Sequence, residues 1–199
     1  MGEAFAIPTY VTHYYVERPF RTLTELTAAE RACVVGGLHF PKEDPRLHSA
    51  FYFEQRLQYE TVMYEQFRAK GGQPVRRRPH YAVLGESEIW KKITKQSLRI
   101  PLSAIPAWQL SFTYTDSWPT YVDRDLEGNR IPRKPQYGML FRLEELDELF
   151  RTHGWPGDRW KTELEWEHDL YVEAQIWSDE PLAAYLTANG AAQPAAPWP

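Results

Sequence analysis

Alternating apolar and polar positions predict short β-strands along much of the chain. Residues 9–16 are rich in β-branched and aromatic side chains, and residues 80–85 form a short apolar run that ends at a glycine. Both compositions are typical of strands, because branched and flat side chains pack well on a pleated surface. The same pattern predicts further strands at residues 98–102, 107–115, 137–141 and 168–177.

Helix start and stop signals lie between these strands. Thr27 and Glu30 have the spacing of a capping box, which predicts that a helix begins there, and Gly36-Gly37 is a stop signal. Residues 47–70 have the periodicity of a long helix. Its predicted core stripe consists of Ala50, Phe53, Leu57, Tyr64 and Phe67. Shorter helices are predicted at residues 87–93 with Ser87 as the N-cap, at residues 143–153 before Gly154, and from Pro181 onward.

The order of these elements favours an α+β fold. Strands and helices do not alternate one for one, as they would in a doubly wound parallel sheet. We therefore expect a single domain at residues 1–190, with a mixed, mainly antiparallel sheet of about six strands flanked by helices. Residues 191–199 are rich in Ala and Pro and are expected to form a loose tail. Residues 117–137 contain three prolines and many charges, which predicts a long loop.

The composition narrows the classes of function. Of 199 residues, 43% are hydrophobic and 15% aromatic, enough for one core and for an aromatic-lined pocket. The net charge of −4 argues against a protein that coats nucleic acid with a broad basic surface. One local basic patch, Arg76-Arg77-Arg78, is a candidate contact for a nucleic-acid or protein acceptor, and a solvated loop is the alternative.

The remaining composition leads us to expect a cytoplasmic protein without a disulfide or a metal. No apolar run approaches the ~18 residues of a membrane span, and the N-terminus has no signal-peptide core. Cys33 is the only cysteine, and its apolar helical context predicts a buried small hydrophobe. No cluster of Cys and His residues has the spacing of zinc ligands.

Three predicted strands each have a polar face bordered by aromatic residues. In the last strand Leu170, Val172, Ala174 and Ile176 share one face, and Tyr171, Glu173, Gln175 and Trp177 share the other. In the strand at residues 107–115, the faces are Trp108, Leu110, Phe112 and Tyr114 against Gln109, Ser111, Thr113 and Thr115. In the first strand His13 and Tyr15 lie opposite Thr12, Tyr14 and Val16. If the polar faces converge, they form a cleft with a carboxylate, an imidazole and flat rings. The alternative is the solvated face that an antiparallel sheet commonly has.

Five short motifs follow one another in an order that suggests a family. "YVTHYYV" contains His13, and "VVGGL" ends the helix after it. "PHYAVLGESEIW" is a strand with a Ser-led segment, "FTYTD" comes next, and "VEAQIWSDEPL" contains Glu173 before an acidic turn with Pro and Leu. Together these motifs resemble the ADP-ribosyltransferase fold, and specifically the DNA-targeting ADP-ribosyltransferase toxins.

The resemblance implies an NAD-dependent ADP-ribosyltransferase. Glu173 would be the catalytic residue, which binds the ribose 2′-hydroxyl and stabilises the positive charge that develops as nicotinamide leaves NAD. NAD would be the substrate, and no metal would be needed. The residues expected to contact NAD are His13, Tyr14, Tyr15, Ser111, Thr113, Gln175 and Arg78. The family's arginine has its nearest candidates in Arg76, Arg77 and Arg78, and the acceptor would bind near the same three residues.

Two other classes of function stay open. Asp123 or Asp125, with Glu173 and Gln175, would hold Mg²⁺ in a nuclease of the restriction-endonuclease type. A non-enzymatic aromatic groove would instead bind a peptide or a small ligand. Added Mg²⁺ should raise the melting temperature only if the first alternative is correct.

Overall fold

The chain folds into helices packed against one β-sheet, as a computed structural model of residues 6–38, 50–124, 128–157 and 169–189 describes. The strands of these residues are β1 (Tyr10–Tyr15), β2 (His80–Leu84), β3 (Gln96–Pro101), β4 (Leu110–Thr113), β5 (Phe141–Arg142) and β6 (Glu173–Ile176). The helices are α1 (Ala28–Gly36), α2 (Ala50–Ala69), α3 (Glu88–Ile93), α4 (Ser117–Tyr121), α5 (Leu146–His153) and α6 (Glu180–Ala188). The α+β class is therefore confirmed. The tail predicted at residues 191–199 lies outside the described residues.

The sheet has the strand order β3-β1-β2-β6-β4-β5. Each pairing between neighbouring strands of the described chain is antiparallel, so the parallel component of the expected mixed sheet is not found there. β6 lies inside the sheet between β2 and β4, and its register places Glu173 between Val83 and Thr113. The strand with the unusual polar face is thus an interior strand.

β1 and β2 form a fork. β1 pairs with β3 along its whole length, but with β2 only at Val11–Leu84 and Thr12–Val83. Beyond Thr12 the two strands no longer pair through their backbones. Instead, the side chain of His13 bridges them, with its Nδ1 donating to the carbonyl of Tyr81 at 2.7 Å. Buried backbone groups need partners, and an imidazole here satisfies one while the strands separate.

Helix α2 covers the face of the sheet that carries Glu173. Its Phe67 stacks on Trp177, with ring centroids 5.7 Å apart. The buried residues of α2 are Tyr52, Tyr59, Glu60, Met63 and Phe67. The predicted stripe was right at Phe67 and wrong at Ala50 and Leu57, which are exposed. The prediction followed the most apolar residues. The buried stripe, however, includes Glu60, which pairs with Arg56, and a hydrophobic periodicity cannot identify a charged residue as buried.

The predicted helix ends at Thr27, Ser87 and Gly154 are confirmed. Thr27 and Glu30 form the predicted capping box, with Thr27 N donating to Glu30 Oε2 at 2.9 Å. Ser87 caps α3, and Gly154 ends α5 with a φ of 80°, which favours glycine. Gly37 has a different reason to be glycine, because a Cβ there would lie 2.2 Å from Val16 Cγ1.

Several predicted boundaries were wrong for tertiary reasons. The loop predicted at residues 117–137 begins with α4, whose first turn accommodates Pro119 and is capped by Asp116. The strand predicted at residues 137–141 is reduced to β5. The strand predicted at residues 107–115 is shortened to β4. Trp108, predicted to share a strand face with Leu110 and Phe112, instead lies in the turn before β4 and is 49% exposed.

Two compositional predictions have different outcomes. Cys33 is exposed, so the prediction of a buried cysteine was wrong; in α1 the residue that reaches the core is Val35. Among the described helices, none combines the length and the apolar character that crossing a membrane requires.

Paired substitutions in α2 test its orientation. Met63 is fully buried and Leu57 is 38% exposed. We expect Met63→Ala to lower the free energy of unfolding by about 2–5 kcal/mol, because it leaves a cavity in the core. Leu57→Ala should cost about 0.5 kcal/mol, as is usual for surface substitutions. Urea denaturation measures both free energies. A larger loss for Leu57→Ala than for Met63→Ala would contradict the orientation of α2 in the structure and favour the one predicted from its sequence.

Candidate functional site

The fork between β1 and β2 opens into a cavity of about 290 Å³. Its walls come from β1 and the residues after it, from α2, β2, α3 and α4, and from the residues before β6. Its volume is at the lower end of the ~300–1,000 Å³ found for small-molecule sites. Its aromatic lining includes Tyr14, Tyr52, Tyr81, Trp90, Trp118 and Tyr171.

Glu173 lines this cavity from the centre of the sheet. The residue is only 8% exposed, so the alternative of a solvated sheet face was wrong. Its Oε1 accepts hydrogen bonds from Ser117 N at 3.3 Å and from Gln175 Nε2 at 3.2 Å. Its Oε2 accepts none from the described residues. One oxygen is therefore held by the protein, and the other is available to a ligand.

A second carboxylate, Asp116, lines the same cavity. Asp116 Oδ1 accepts from Trp118 N at 2.8 Å, and Oδ2 accepts from the Tyr171 hydroxyl at 2.8 Å. Burial and the negative charge of Asp116 raise the pKa of Glu173 to about 8. At neutral pH Glu173 consequently carries a proton for most of the time.

A buried polar row supports Glu173 from within the sheet. Gln175 Nε2 donates to Thr113 Oγ1 at 3.1 Å, and Gln175 Oε1 accepts from Ser111 Oγ at 3.0 Å. Trp177 Nε1 donates to Ser111 Oγ at 2.8 Å. Ser111, Thr113 and Gln175 were predicted to contact NAD, but they do not line the cavity and instead hold Glu173 in place.

His13, Tyr14 and Tyr15 of β1, which are expected to contact NAD, line the cavity. Both ring nitrogens of His13 are engaged, because Nδ1 donates to Tyr81 and Nε2 accepts from Phe20 N at 2.7 Å. Burial lowers the pKa of His13 to about 4. The imidazole is therefore neutral, and the rings of Phe20 and Tyr15 stack on it with centroids 4.4 and 5.8 Å away. Tyr14 and Tyr15 line the cavity beside it.

Arg56 is a cavity residue that the sequence did not reveal. Its Nε donates to Glu60 at 3.1 Å and its Nη1 to the Tyr52 hydroxyl at 3.0 Å. The guanidinium lies over the Tyr81 ring, 4.4 Å from its centroid. The only signal was the spacing of Arg56 and Glu60 by four residues, which usually marks an exposed helical ion pair.

The three consecutive arginines do not form one exposed patch. Arg76 is 8% exposed and forms ion pairs with Glu25 and Asp179. Arg77 is exposed. Arg78 donates to the backbone carbonyl of Leu57 and the hydroxyl of Thr61 on α2. None of the three lines the cavity, whereas Arg18, Arg21 and Arg56 do.

The residues of the magnesium hypothesis are not brought together. The side chain of Asp123 is 88% exposed, whereas Gln175 is fully buried. Asp125 lies outside the described residues. Among the residues that the structure describes, no group of three or more His, Cys, Asp and Glu side chains is arranged to hold a metal ion.

Comparison of the chain with protein-family models, with curated proteins and with solved structures finds no match. A functional assignment must therefore be argued from the geometry of the cavity.

The raised pKa of Glu173 makes stability depend on pH. Between the pKa of 4.5 expected in the unfolded chain and about 8, the folded protein retains a proton that the unfolded chain has lost. The free energy of unfolding should therefore fall as pH rises through this window. Burial lowers the pKa values of His13 and His80 to about 4, so their opposite contributions are complete above pH 6.5.

We accordingly expect the free energy of unfolding of the wild type to fall, relative to that of Glu173→Gln, by on the order of 1–2 kcal/mol between pH 6.5 and pH 8. Chemical denaturation at several pH values measures this difference. Glu180→Gln, at an exposed position of α6, is the matched control and should behave as the wild type does. Parallel pH profiles for the wild type and Glu173→Gln would contradict the prediction.

Adjacent arginines separate a structural role from a surface role. Arg76→Met removes the partner of two carboxylates and should destabilise the protein by about 3–5 kcal/mol, the usual cost of breaking a buried pair. Arg77→Met, at a side chain that is 71% exposed, should cost less than about 1 kcal/mol. Thermal and urea unfolding measure both variants, and equal losses would refute the assigned difference.

Proposed function

We propose that the cavity binds NAD by its nicotinamide-ribose end and that Glu173 assists cleavage of the nicotinamide N-glycosidic bond, after which ADP-ribose passes to an acceptor. One observation carries this proposal: a buried carboxylate on an interior strand lines a cavity walled by aromatic rings, and one of its oxygens accepts no hydrogen bond from the described residues.

The chemistry needs a carboxylate in a rigid position. Cleavage of the bond between ribose and nicotinamide develops positive charge on the sugar, as in glycoside hydrolysis. A fixed negative oxygen stabilises that charge without reorganising during the reaction. Ser117 N and Gln175 hold one oxygen of Glu173, which leaves the other to contact the ribose.

The other walls suit the remaining parts of the ligand. Flat rings such as Tyr14, Trp90 and Tyr171 offer stacking surfaces to nicotinamide. The guanidinium of Arg56 is held in a planar orientation that matches the oxygens of a phosphate. The volume of about 290 Å³ suits the nicotinamide half of the dinucleotide, with the other half toward the mouth, where Arg18 and Arg21 line the wall.

The protonation of Glu173 is compatible with this role. The nicotinamide ring of NAD is positively charged, and a positive charge beside a carboxyl group lowers its pKa. The substrate itself would therefore favour the ionised form of Glu173 that the reaction uses.

A non-enzymatic aromatic binding site is the second candidate. Its support is that several polar groups at the cavity are satisfied within the protein, including both nitrogens of His13 and both carboxylate oxygens of Asp116. A binding module needs its rings and not the charge of Glu173, which gives the two candidates different responses to Glu173→Gln.

Nicotinamide release from NAD tests the proposal directly. Glu173→Gln should lower the rate by about 100-fold or more, the usual effect of losing one stabilising group in the transition state, and should keep the rise in melting temperature that NAD produces. In the wild type kcat/KM for nicotinamide release should increase with pH up to about 8, because this ratio depends on the ionisation of Glu173 in the free protein. The control Asp123→Asn changes an exposed carboxylate and should leave the rate unchanged.

Two results would contradict the proposal. If NAD raises the melting temperature but neither protein releases nicotinamide, the cavity is a binding site without this activity. If NAD produces neither a shift nor release, the cavity does not bind NAD.

A further inference from the structure

Three carboxylates line the cavity: Glu17 is exposed, whereas Glu173 and Asp116 lie deeper in the protein, and neither of these two forms an ion pair with a described residue. The buried carboxylates that lie outside the cavity lining, among the described residues, are ion-paired: Glu60 binds Arg56 at 3.1 Å, and Asp169 binds Lys134. Burying a carboxylate is unfavourable unless it is paired or neutralised. Glu173 and Asp116 thus lack the compensation that the protein provides elsewhere.

The backbone ties both carboxylates to one place. Ser117 N donates to Glu173 Oε1, and the next amide in the chain, Trp118 N, donates to Asp116 Oδ1. Consecutive amides bind them, so the two acidic groups must be neighbours. Two neighbouring carboxyl groups in a buried site hold one proton between them more readily than they carry two negative charges.

Among the described residues no cation is ion-paired with either carboxylate, although the charge of Arg56 opposes the rise in the pKa of Glu173. The charged and titratable groups around it are Arg56, Tyr59 and Glu60 from α2, Tyr81 from β2, Tyr121 from α4, and Tyr171 before β6. Burial raises the pKa of each of these tyrosines above its ordinary value, so all four are neutral at physiological pH. The charge of Arg56 is already opposed by Glu60.

We propose that Asp116 is a positioning residue that acts through Glu173: its negative charge keeps a proton on Glu173 until a cationic ligand binds, and the ligand then displaces that proton. The O–H bond of Glu173 breaks, the proton passes to the buffer, and the positive charge of the ligand takes its place, so the net charge of the cavity is unchanged. The inference rests on the proposed function in taking the nicotinamide ring of NAD as the cation.

The titration of Glu173 tests the role of Asp116 without any ligand. The carboxyl carbon of Glu173 can be followed by ¹³C NMR, its signal being the one that Glu173→Gln removes. We expect Asp116→Asn, which retains an oxygen for Trp118 N, to lower the titration midpoint by at least about one pH unit. Tyr171→Phe removes the hydrogen bond to Asp116 but keeps its charge, and should not lower the midpoint. An unchanged midpoint in Asp116→Asn, or the same fall in Tyr171→Phe, overturns the proposal.

Proton release provides a second measurement that does not require an Asp116 variant to fold. Calorimetric titration of the wild-type protein with NAD at pH 7, in two buffers of different ionisation enthalpy, should show release of close to one proton for each NAD bound. Glu173→Gln should bind NAD without this release. Binding to the wild type with no proton released would overturn the proposal.

The pH profile of nicotinamide release separates the role of Asp116 from a purely structural one. In Asp116→Asn the pH profile of kcat/KM should move to lower pH by the same amount as the NMR midpoint. If the midpoint falls by one unit from about 8, kcat/KM at pH 6.5, relative to its own plateau, should rise about eightfold. A structural role would lower the rate at every pH and leave the midpoint in place, which counts against the proposal.

The outcomes distinguish this inference from the proposed function. If Asp116→Asn lowers the Glu173 midpoint but no protein cleaves NAD, Asp116 has the assigned role and the proposed function is wrong. If cleavage depends on Glu173 but Asp116→Asn changes neither the NMR midpoint of Glu173 nor the midpoint of the pH profile of nicotinamide release, the proposed function stands and the role of Asp116 is refuted.

Discussion

The structure depends on how a carboxylate is accommodated in the middle of a sheet. Glu173 lies on an interior strand under helix α2, where an isolated negative charge would be unfavourable. Ser117 N and Gln175 hold one of its oxygens, a row of buried hydrogen bonds holds Gln175, and a proton on the carboxyl group removes the charge. The row fixes Gln175 between Ser111 and Thr113, so the orientation of Glu173 is determined by the register of β4 and β6.

The separation of β1 from β2 gives this carboxylate a cavity to face. His13 binds Tyr81 and Phe20 through its two ring nitrogens and so replaces backbone pairing at the fork. Because the strands diverge there, the side chains of both strands line a space that a continuous sheet would not contain. His13 therefore contributes to the site mainly by shaping it, and its low pKa follows from the burial that this role requires.

Charges elsewhere in the protein are arranged in satisfied groups. Arg56 and Glu60 oppose each other in the cavity wall, and Arg76 binds Glu25 and Asp179 at the start of α6. Such pairs orient side chains more than they stabilise the fold, since desolvation offsets much of their attraction. Against this background the neighbouring carboxylates of Asp116 and Glu173, which form no ion pair with a described residue, are the feature that most favours a positively charged ligand.

The sequence by itself determined the fold class, the helix caps at Thr27 and Ser87, and Glu173 as the residue of interest, since caps and strand alternation are local patterns. It did not determine which face of α2 is buried, that α4 lies within the predicted loop, or that Arg76 is buried. Each of these depends on partners distant in the chain. Arg56 and Asp116 escaped notice for the same reason: an ion-pair spacing and an N-cap are commonplace until the fold brings them to one cavity. Tertiary structure also decided that Ser111, Thr113 and Gln175 support the carboxylate and do not line the cavity, because only packing by α2 distinguishes a buried polar face from a solvated one.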